Sequence, residues 1–273
     1  MNSGDALACS GLFEPIRPLL KEIGPQPDEL ILNALSSARG IGTGSGQPVR
    51  FRPPRPDGLE YEQRIWLHGE VATRPGNPHD LFNALVWLTF PLTKAALNAR
   101  HVRAVPGRNA ARGRERDAMT HFDECGVIVV SAERGLLELM RSFQWKSLFW
   151  ERRDDLRRQL RCFVVGHALY EQLQRPFRGL TGKAILYGEE EAWLERPLAA
   201  QVAAVDRRLA DQLAAGAHGD PRHFQPLPLL GLPGVTPESE SPAYYDDPWQ
   251  FRAGRRQPTF PEPGRQPTAR SGG

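Results

Sequence analysis

Three groups of polar residues in this 273-residue chain have the types and spacing to do chemistry. The first is His79, Asp80, Asn83 and Trp87. On a helix, at about 100° per residue, these four gather on one side while Leu81, Phe82, Leu85, Val86 and Leu88 gather on the other. A solvated helix face carries Lys, Glu and Arg. An imidazole, a carboxylate, a carboxamide and an indole near a helix N-terminus instead suit a pocket wall that receives an anion. The second group is Lys94, Asn98 and His101, at i, i+4 and i+7 of the following segment. It stands beside Ala95, Ala96 and Ala99, whose small size lets a neighbouring helix approach. We take His79, Asp80, Asn83, Lys94, Asn98 and His101 as candidate catalytic residues, with His79 as acid or base and Lys94 steadying an anion.

The third group is His167 and Glu171, four apart on one helical face where a strand meets a helix. With Asp123 and Glu124, near His121, they are the candidate ligands of a divalent metal, which would lower the pKa of a bound water. H-x-x-x-E is less specific than H-E-x-x-H and describes an ion pair equally well, and turn chemistry explains Asp123 as well as ligation does. Arg100, Arg103, Arg108, Arg112, Arg114 and Arg116, loosened by Gly107 and Gly113, are the one phosphate-binding patch the sequence offers. Aromatic residues for base stacking are absent from it, which argues against single-strand binding. Residues 40–46 are glycine-rich but lack a P-loop lysine and follow no strand; no dinucleotide fingerprint or G-x-S-x-G elbow occurs.

The elements that must position these residues follow from caps and breakers. Asp28 starts a helix over 28–39, and a Gly/Ser/Pro/Arg loop over 40–56 separates this small N-terminal element from the body. Asn77-Pro78 opens a helix running to about Thr89, and Pro91 starts a second one to about Arg103. An Arg/Gly loop over 100–116 is expected next, then a turn at Asp123 to Gly126, then a strand or hairpin at Val127 to Val130. Helices resume over 134–160; a short strand at Phe163 to Val165 ends at Gly166; a helix covers 167–174 and stops at Pro176. Ala184 to Tyr187 reads as a strand and 197–215 as an Ala/Leu-rich helix. From Phe224 onward prolines and glycines exclude regular structure, with 225–234 draped over the body to bury Leu227, Leu229, Leu230 and Leu232, and a mobile tail over 255–273.

Composition bounds the rest. With 40% hydrophobic residues and a formal net charge of +3, the chain can bury a core and is not a disordered tail. The richest apolar run, 81–92, is too short for a membrane span and contains Asn83, so no membrane partner is expected. The first eight residues lack the cationic start and apolar stretch of a signal peptide ahead of Cys9. Cys9, Cys125 and Cys162 are odd in number and far apart, which argues against a disulfide framework or thiolate zinc site and for a reducing cytoplasm. Of the 35 basic residues 31 are Arg, a bias that codon usage in a GC-rich bacterial genome explains better than a nucleic-acid footprint.

The stretch from His79-Asp80-Leu81-Phe82-Asn83 through Trp87 and Pro91 to Lys94, Asn98 and His101 closely resembles the signature of the bacterial domain-of-unknown-function family 3025. Phe122-Asp123-Glu124 with Gly126-Val127, Gly166-His167-Ala168-Leu169-Tyr170-Glu171, Pro226-Leu227-Pro228 through Gly234, and Tyr245-Asp246-Asp247 before Phe251-Arg252 extend the likeness over roughly 61–252. Leu92 departs from it, standing where a basic residue is usual. The resemblance implies no reaction, cofactor or catalytic residue.

The fold expected is a single mainly helical α+β domain over 57–253 with a small β-sheet and a Pro-rich C-terminal wrap, preceded by the 1–56 element and followed by a disordered tail over 254–273. The function expected first is a cytoplasmic metal-assisted hydrolase acting on a phosphorylated or otherwise anionic small molecule. The alternatives are a non-catalytic interaction module built on a buried polar network and, more weakly, a nucleic-acid adaptor using the Arg-rich segment.

Overall fold

The helix over Pro78–Thr89 forms because Asn77 accepts a hydrogen bond from the Asp80 backbone N–H while Pro78 fixes the first turn. It ends at Phe90, since Pro91 can start a helix but not continue one, and Pro91–Arg103 follows at once. The second helix has no cap of its own. Asp206, from a distant helix, accepts from the Leu92 and Thr93 backbone N–H groups at 3.1 and 2.8 Å and caps it from outside.

A computed structural model describes residues 11–24, 27–104 and 110–254. In chain order its elements are α1 (Arg17–Ile23), α2 (Glu29–Ala38), β1 (Arg50–Arg52), α3 (Tyr61–His68), β2 (Glu70–Ala72), α4 (Pro78–Thr89), α5 (Pro91–Arg103), α6 (Ala110–Cys125), β3 (Gly126–Ser131), α7 (Arg134–Arg141), α8 (Arg153–Gln159), β4 (Leu160–Val164), α9 (His167–Gln174), β5 (Thr181–Gly188), α10 (Glu191–Leu194), α11 (Leu198–Ala214) and β6 (Gln225–Pro228). The four-stranded sheet has the order β4-β3-β5-β6, with β3 parallel to β5 and antiparallel to β4, and β5 antiparallel to β6. The continuous apolar run Val127 to Val130 fits this arrangement: every residue of β3 is buried, as a central strand covered on both faces requires. The fold is thus mainly helical α+β with a small sheet.

Three expectations are corrected. The 40–56 segment is not all loop, because Arg50–Arg52 pairs in parallel with Glu70–Ala72 and buries Phe51 completely. The segment ahead of the sheet is helical where an Arg/Gly loop and a turn were expected: Ala118, Met119 and Phe122 are fully buried, and that spacing on Ala110–Cys125 outweighs the helix-weakening Gly113. Asp123 and Glu124 therefore sit in the last turn of α6. Beyond Phe224, β6 adds a strand to the sheet before the chain wraps the body. The wrap is tied down: Leu227 and Leu229 are fully buried, Trp145 donates to the Arg252 carbonyl at 2.8 Å, and Tyr245 donates to the carbonyls of Gly231 and Ser239.

One hydrophobic cluster runs from Leu12 to Phe251 and takes in Ile16, Val49, Phe51, Trp87, Phe122 and Tyr170. No helix among the described residues is long and apolar enough to cross a membrane. Cys9 and the 255–273 tail lie outside the described residues.

Candidate metal centre

Two close backbone junctions set the site. Gly166 precedes α9 and abuts the end of α6: its N–H and that of Val165 both donate to the Gly126 carbonyl, at 2.8 and 2.9 Å. A Cβ on Gly166 would fall 2.4 Å from the Gly126 nitrogen and 2.5 Å from the Glu124 carbonyl oxygen, so only glycine permits the approach. This brings His167, the first residue of α9, beside Glu124 in the last turn of α6. The second junction is the packing of α4 against α9, which lays His79 over the same point.

The His167 and His79 Nε2 atoms stand 3.1 Å apart, and His167 Nε2 is 3.5 Å from Glu124 Oε2. One donor atom from each of His79, Glu124 and His167 lies within 4.8 Å of the others. Ligands held about 2.0–2.1 Å from a tetrahedral ion are separated by about 3.3 Å, so both short separations match the edges of a coordination tetrahedron. Behind the imidazoles stand carboxylates. Glu171 Oε2 accepts a hydrogen bond from His79 Nδ1 at 3.0 Å, and the His79 Nε2 faces His167 Nε2. Asp123 Oδ2 lies 3.7 Å from His167 Nδ1. Burial pushes the His167 imidazole down to about 4, with Asp123 opposing, so it is neutral at physiological pH, as ligation requires. Burial, then the Asp123 charge, raises Glu124.

The trio opens on a cavity of about 340 Å³ whose wall includes Tyr61, Glu62, Arg74, Asp80, Asn83, His101, Thr120 and Asp123. Of the candidate residues, His79, Asp80, Asn83, His101, Asp123, Glu124 and His167 thus share one cavity, while Lys94, Asn98 and Glu171 stand behind it. Several are committed to each other. Asp80 receives Arg74 through both oxygens, from Nε at 2.7 Å, Nη2 at 2.9 Å and the backbone N–H at 2.8 Å. Burial alone would raise this carboxyl, but Arg74 outweighs it and holds it below the usual range. Lys94, almost fully buried, gives its ammonium to Asp123 Oδ1 at 2.5 Å and sits over the Trp87 ring. Asn98 Nδ2 donates to the Glu62 carbonyl and carboxylate, and Asn83 Nδ2 to the Tyr61 hydroxyl at 2.8 Å.

His79 is grouped with Glu124 and His167: its Nδ1 meets Glu171 and its Nε2 lies 3.1 Å from His167 Nε2. Glu171 bonds His79 Nδ1, and Asp123 lies 3.7 Å from His167 Nδ1, each on the side of its imidazole away from the other ring. Lys94 does not face a substrate anion; it neutralises Asp123. His121 is exposed and outside the cavity. The arginine patch is not one surface: Arg100 is buried on Glu115 and the Ala217 carbonyl, Arg114 and Arg116 turn to Asp220 and Glu60, and Arg108 lies outside the described residues, as does the Arg112 side chain.

Tyr61, Glu62, Arg74 and Thr120 are the polar cavity residues that sequence reasoning missed. The signal for Arg74 was a guanidinium ahead of an Asn-Pro helix start whose third residue is Asp; the Tyr-Glu pair on a short, weakly patterned helix gave none. No curated protein and no solved structure matches the chain. The model of a family described as "Protein of unknown function (DUF3025)" matches residues 51–255, the stretch that contains every residue of this centre, and the chain belongs to that family.

Proposed function

We propose that His79, Glu124 and His167 hold a divalent cation and that the protein is a metal-assisted hydrolase of a small anionic, for instance phosphorylated, molecule. The observation that carries this reading is a cluster of three protein donors within 4.8 Å of one another, two of its separations at tetrahedral spacing, that opens on a cavity. Structural zinc sites close all four positions, whereas hydrolytic sites use three protein ligands and leave one for water. The charges agree. Glu62, Asp80, Asp123 and Glu124 line the cavity against one arginine, with Lys94 behind it, and this surplus of carboxylate calls for a cation.

A bound divalent ion lowers the pKa of its water toward neutrality and polarises the scissile group. The chain's own residues supply the rest. Glu171 fixes the His79 tautomer, Asp123 backs His167, and Lys94 keeps Asp123 from competing for the cation. His101, on the cavity wall with no hydrogen-bond partner among the described residues, is placed to exchange a proton with the substrate. A cytoplasmic location belongs to the same reading and is supported by free cysteines at 125 and 162.

The test is metal analysis of the purified protein by inductively coupled plasma mass spectrometry beside His167→Ala and Glu124→Gln. Near-stoichiometric metal in the parent, lost in both variants, is expected and directs a phosphoesterase and amidase screen. No metal after incubation with zinc, manganese and magnesium refutes the centre. It would favour the second reading, a non-catalytic module, which the buried Lys94–Asp123 and Asn98–Glu62 pairs support as a network fixing α3, α5 and α6.

A further inference from the structure

Arg74 has an arrangement unlike the other charged groups of the cavity. Its guanidinium is held in plane by Asp80 through Nε and Nη2, yet the side chain remains 58% exposed. Nη1 has no partner among the described residues. The hold is itself anchored: Asp80 lies in the first turn of α4, its backbone N–H taken by Asn77 and its side chain also receiving the Arg74 backbone N–H. Arg74 is the only arginine or lysine on the wall of the cavity among the described residues, and the wall is otherwise rich in carboxylates.

A guanidinium fixed by a carboxylate on one edge and open on the other reads oxyanions, because its N–H groups match their geometry and little side-chain entropy is lost on binding. The other charged side chains on this wall, Glu62, Asp123 and Glu124, are carboxylates that repel an anion, so beside a bound metal Arg74 is the one fixed cation that can orient the ligand. We infer that Arg74 is the specificity-determining residue that binds an oxyanion group of the substrate, phosphate or carboxylate, at the wall of the metal-lined cavity, and that Asp80 is its positioning residue. This inference rests on the metal-centre reading for the identity of the site and extends it to the substrate class. It assigns the anion-reading role to Arg74 in place of Lys94.

The experiment is isothermal titration of the full chain, first with manganese and then, metal-loaded, with inorganic phosphate and separately with acetate. Arg74→Gln keeps a donor for Asp80 but removes the charge. Arg74→Lys keeps the charge but not the fork, and Arg116→Ala removes an arginine outside the cavity. The expected result is manganese affinity within about threefold of the parent in all variants. The tighter-binding oxyanion should weaken at least about tenfold in Arg74→Gln, less in Arg74→Lys, and not in Arg116→Ala. Phosphate as that anion points to a phosphoester substrate and acetate to a carboxylate; either supports the assignment. Unchanged anion affinity in Arg74→Gln, or an equal loss in Arg116→Ala, overturns it while leaving the metal centre standing. If the parent takes no manganese, the metal reading fails separately, and the anion titrations on the metal-free protein decide Arg74: binding lost in Arg74→Gln supports it, and no binding in the parent overturns it.

Discussion

Replacing Gly166 with alanine tests whether the close approach of two backbones is what sets the spacing of the proposed ligands. Gly166 has ordinary backbone angles (φ −67°, ψ 113°), so alanine meets no conformational penalty there and acts only through space. Its Cβ would fall 2.4 Å from the Gly126 nitrogen and 2.5 Å from both the Cys125 nitrogen and the Glu124 carbonyl oxygen. These are backbone atoms in the last turn of α6 and at the start of the central strand, and none can swing aside. Normal contact requires the α9 start to retreat by about 1 Å, an overpacking strain of about 1–3 kcal/mol. At about 2–4 °C per kcal/mol for a domain of this size, the melting temperature falls by roughly 2–12 °C.

The same retreat acts on the centre. His167 Nε2 and Glu124 Oε2 are 3.5 Å apart, and a further 1 Å or so carries them past about 4.2 Å, twice a metal–ligand bond, where one ion no longer reaches both. Manganese or zinc affinity, read by calorimetry, should fall at least about tenfold, and added metal should no longer raise the melting temperature. Gly188→Ala is the control, since a Cβ there meets nothing within 4 Å. A Gly166→Ala protein with parental melting temperature and parental metal affinity would show that the α6–α9 junction does not determine the ligand spacing.

Three further outcomes are expected. Lys94→Met leaves Asp123 buried without its cation and should cost about 3–5 kcal/mol in denaturant unfolding, with Lys94→Met/Asp123→Asn recovering part of it; equal losses in the single and double variants would show that the pair is not coupled. Asp206→Ala removes the external cap on α5 and should cost about 0.5–2 kcal/mol; a neutral result would mean that water satisfies Leu92 and Thr93 equally well. Arg178 holds the Asp247 carboxyl down to about 2, so the stability this pair gives the C-terminal wrap is present above the ordinary carboxylate range and lost as pH falls toward 2. Hydrogen exchange over 236–254 should accelerate in Asp247→Asn at neutral pH and converge with the parent at low pH, and a parental rate at neutral pH would refute the tie.

Parts of this fold were legible because their causes are local. Asn77-Pro78 and Pro91 mark helix starts through the chemistry of single residues, and both helices begin and end where those residues require. Val127 to Val130 reads as a buried strand because four consecutive β-branched residues suit little else. The paired strands Arg50–Arg52 and Glu70–Ala72 were not legible: each is three residues long, and their pairing depends on a helix folding between them. In 110–125 the Arg and Gly content suggests a loop, whereas the burial of Ala118, Met119 and Phe122 decides for a helix. That spacing was present in the sequence but outweighed by composition.

The site shows a sharper limit of sequence reading. A helical wheel collects residues that share a face: of the four it gathered, His79, Asp80 and Asn83 line the cavity, while Trp87 is buried away from its wall. The wheel cannot say which charges are already answered. Asp80 is engaged by Arg74, six residues upstream, and Asp123 by Lys94, from a different helix. His79 is engaged by Glu171, more than ninety residues away. Each pairing withdraws a group from chemistry and gives it a supporting role, so the inventory of polar residues overstates the number that can act. Within the cavity, the His79 and His167 Nε2 atoms cluster with Glu124 on one side and the outer edge of Arg74 is open on another, while His101 and Asn83 Oδ1 have no hydrogen-bond partner among the described residues. A cation fits the first set and an oxyanion the second, and a hydrolytic site for an anionic substrate needs both.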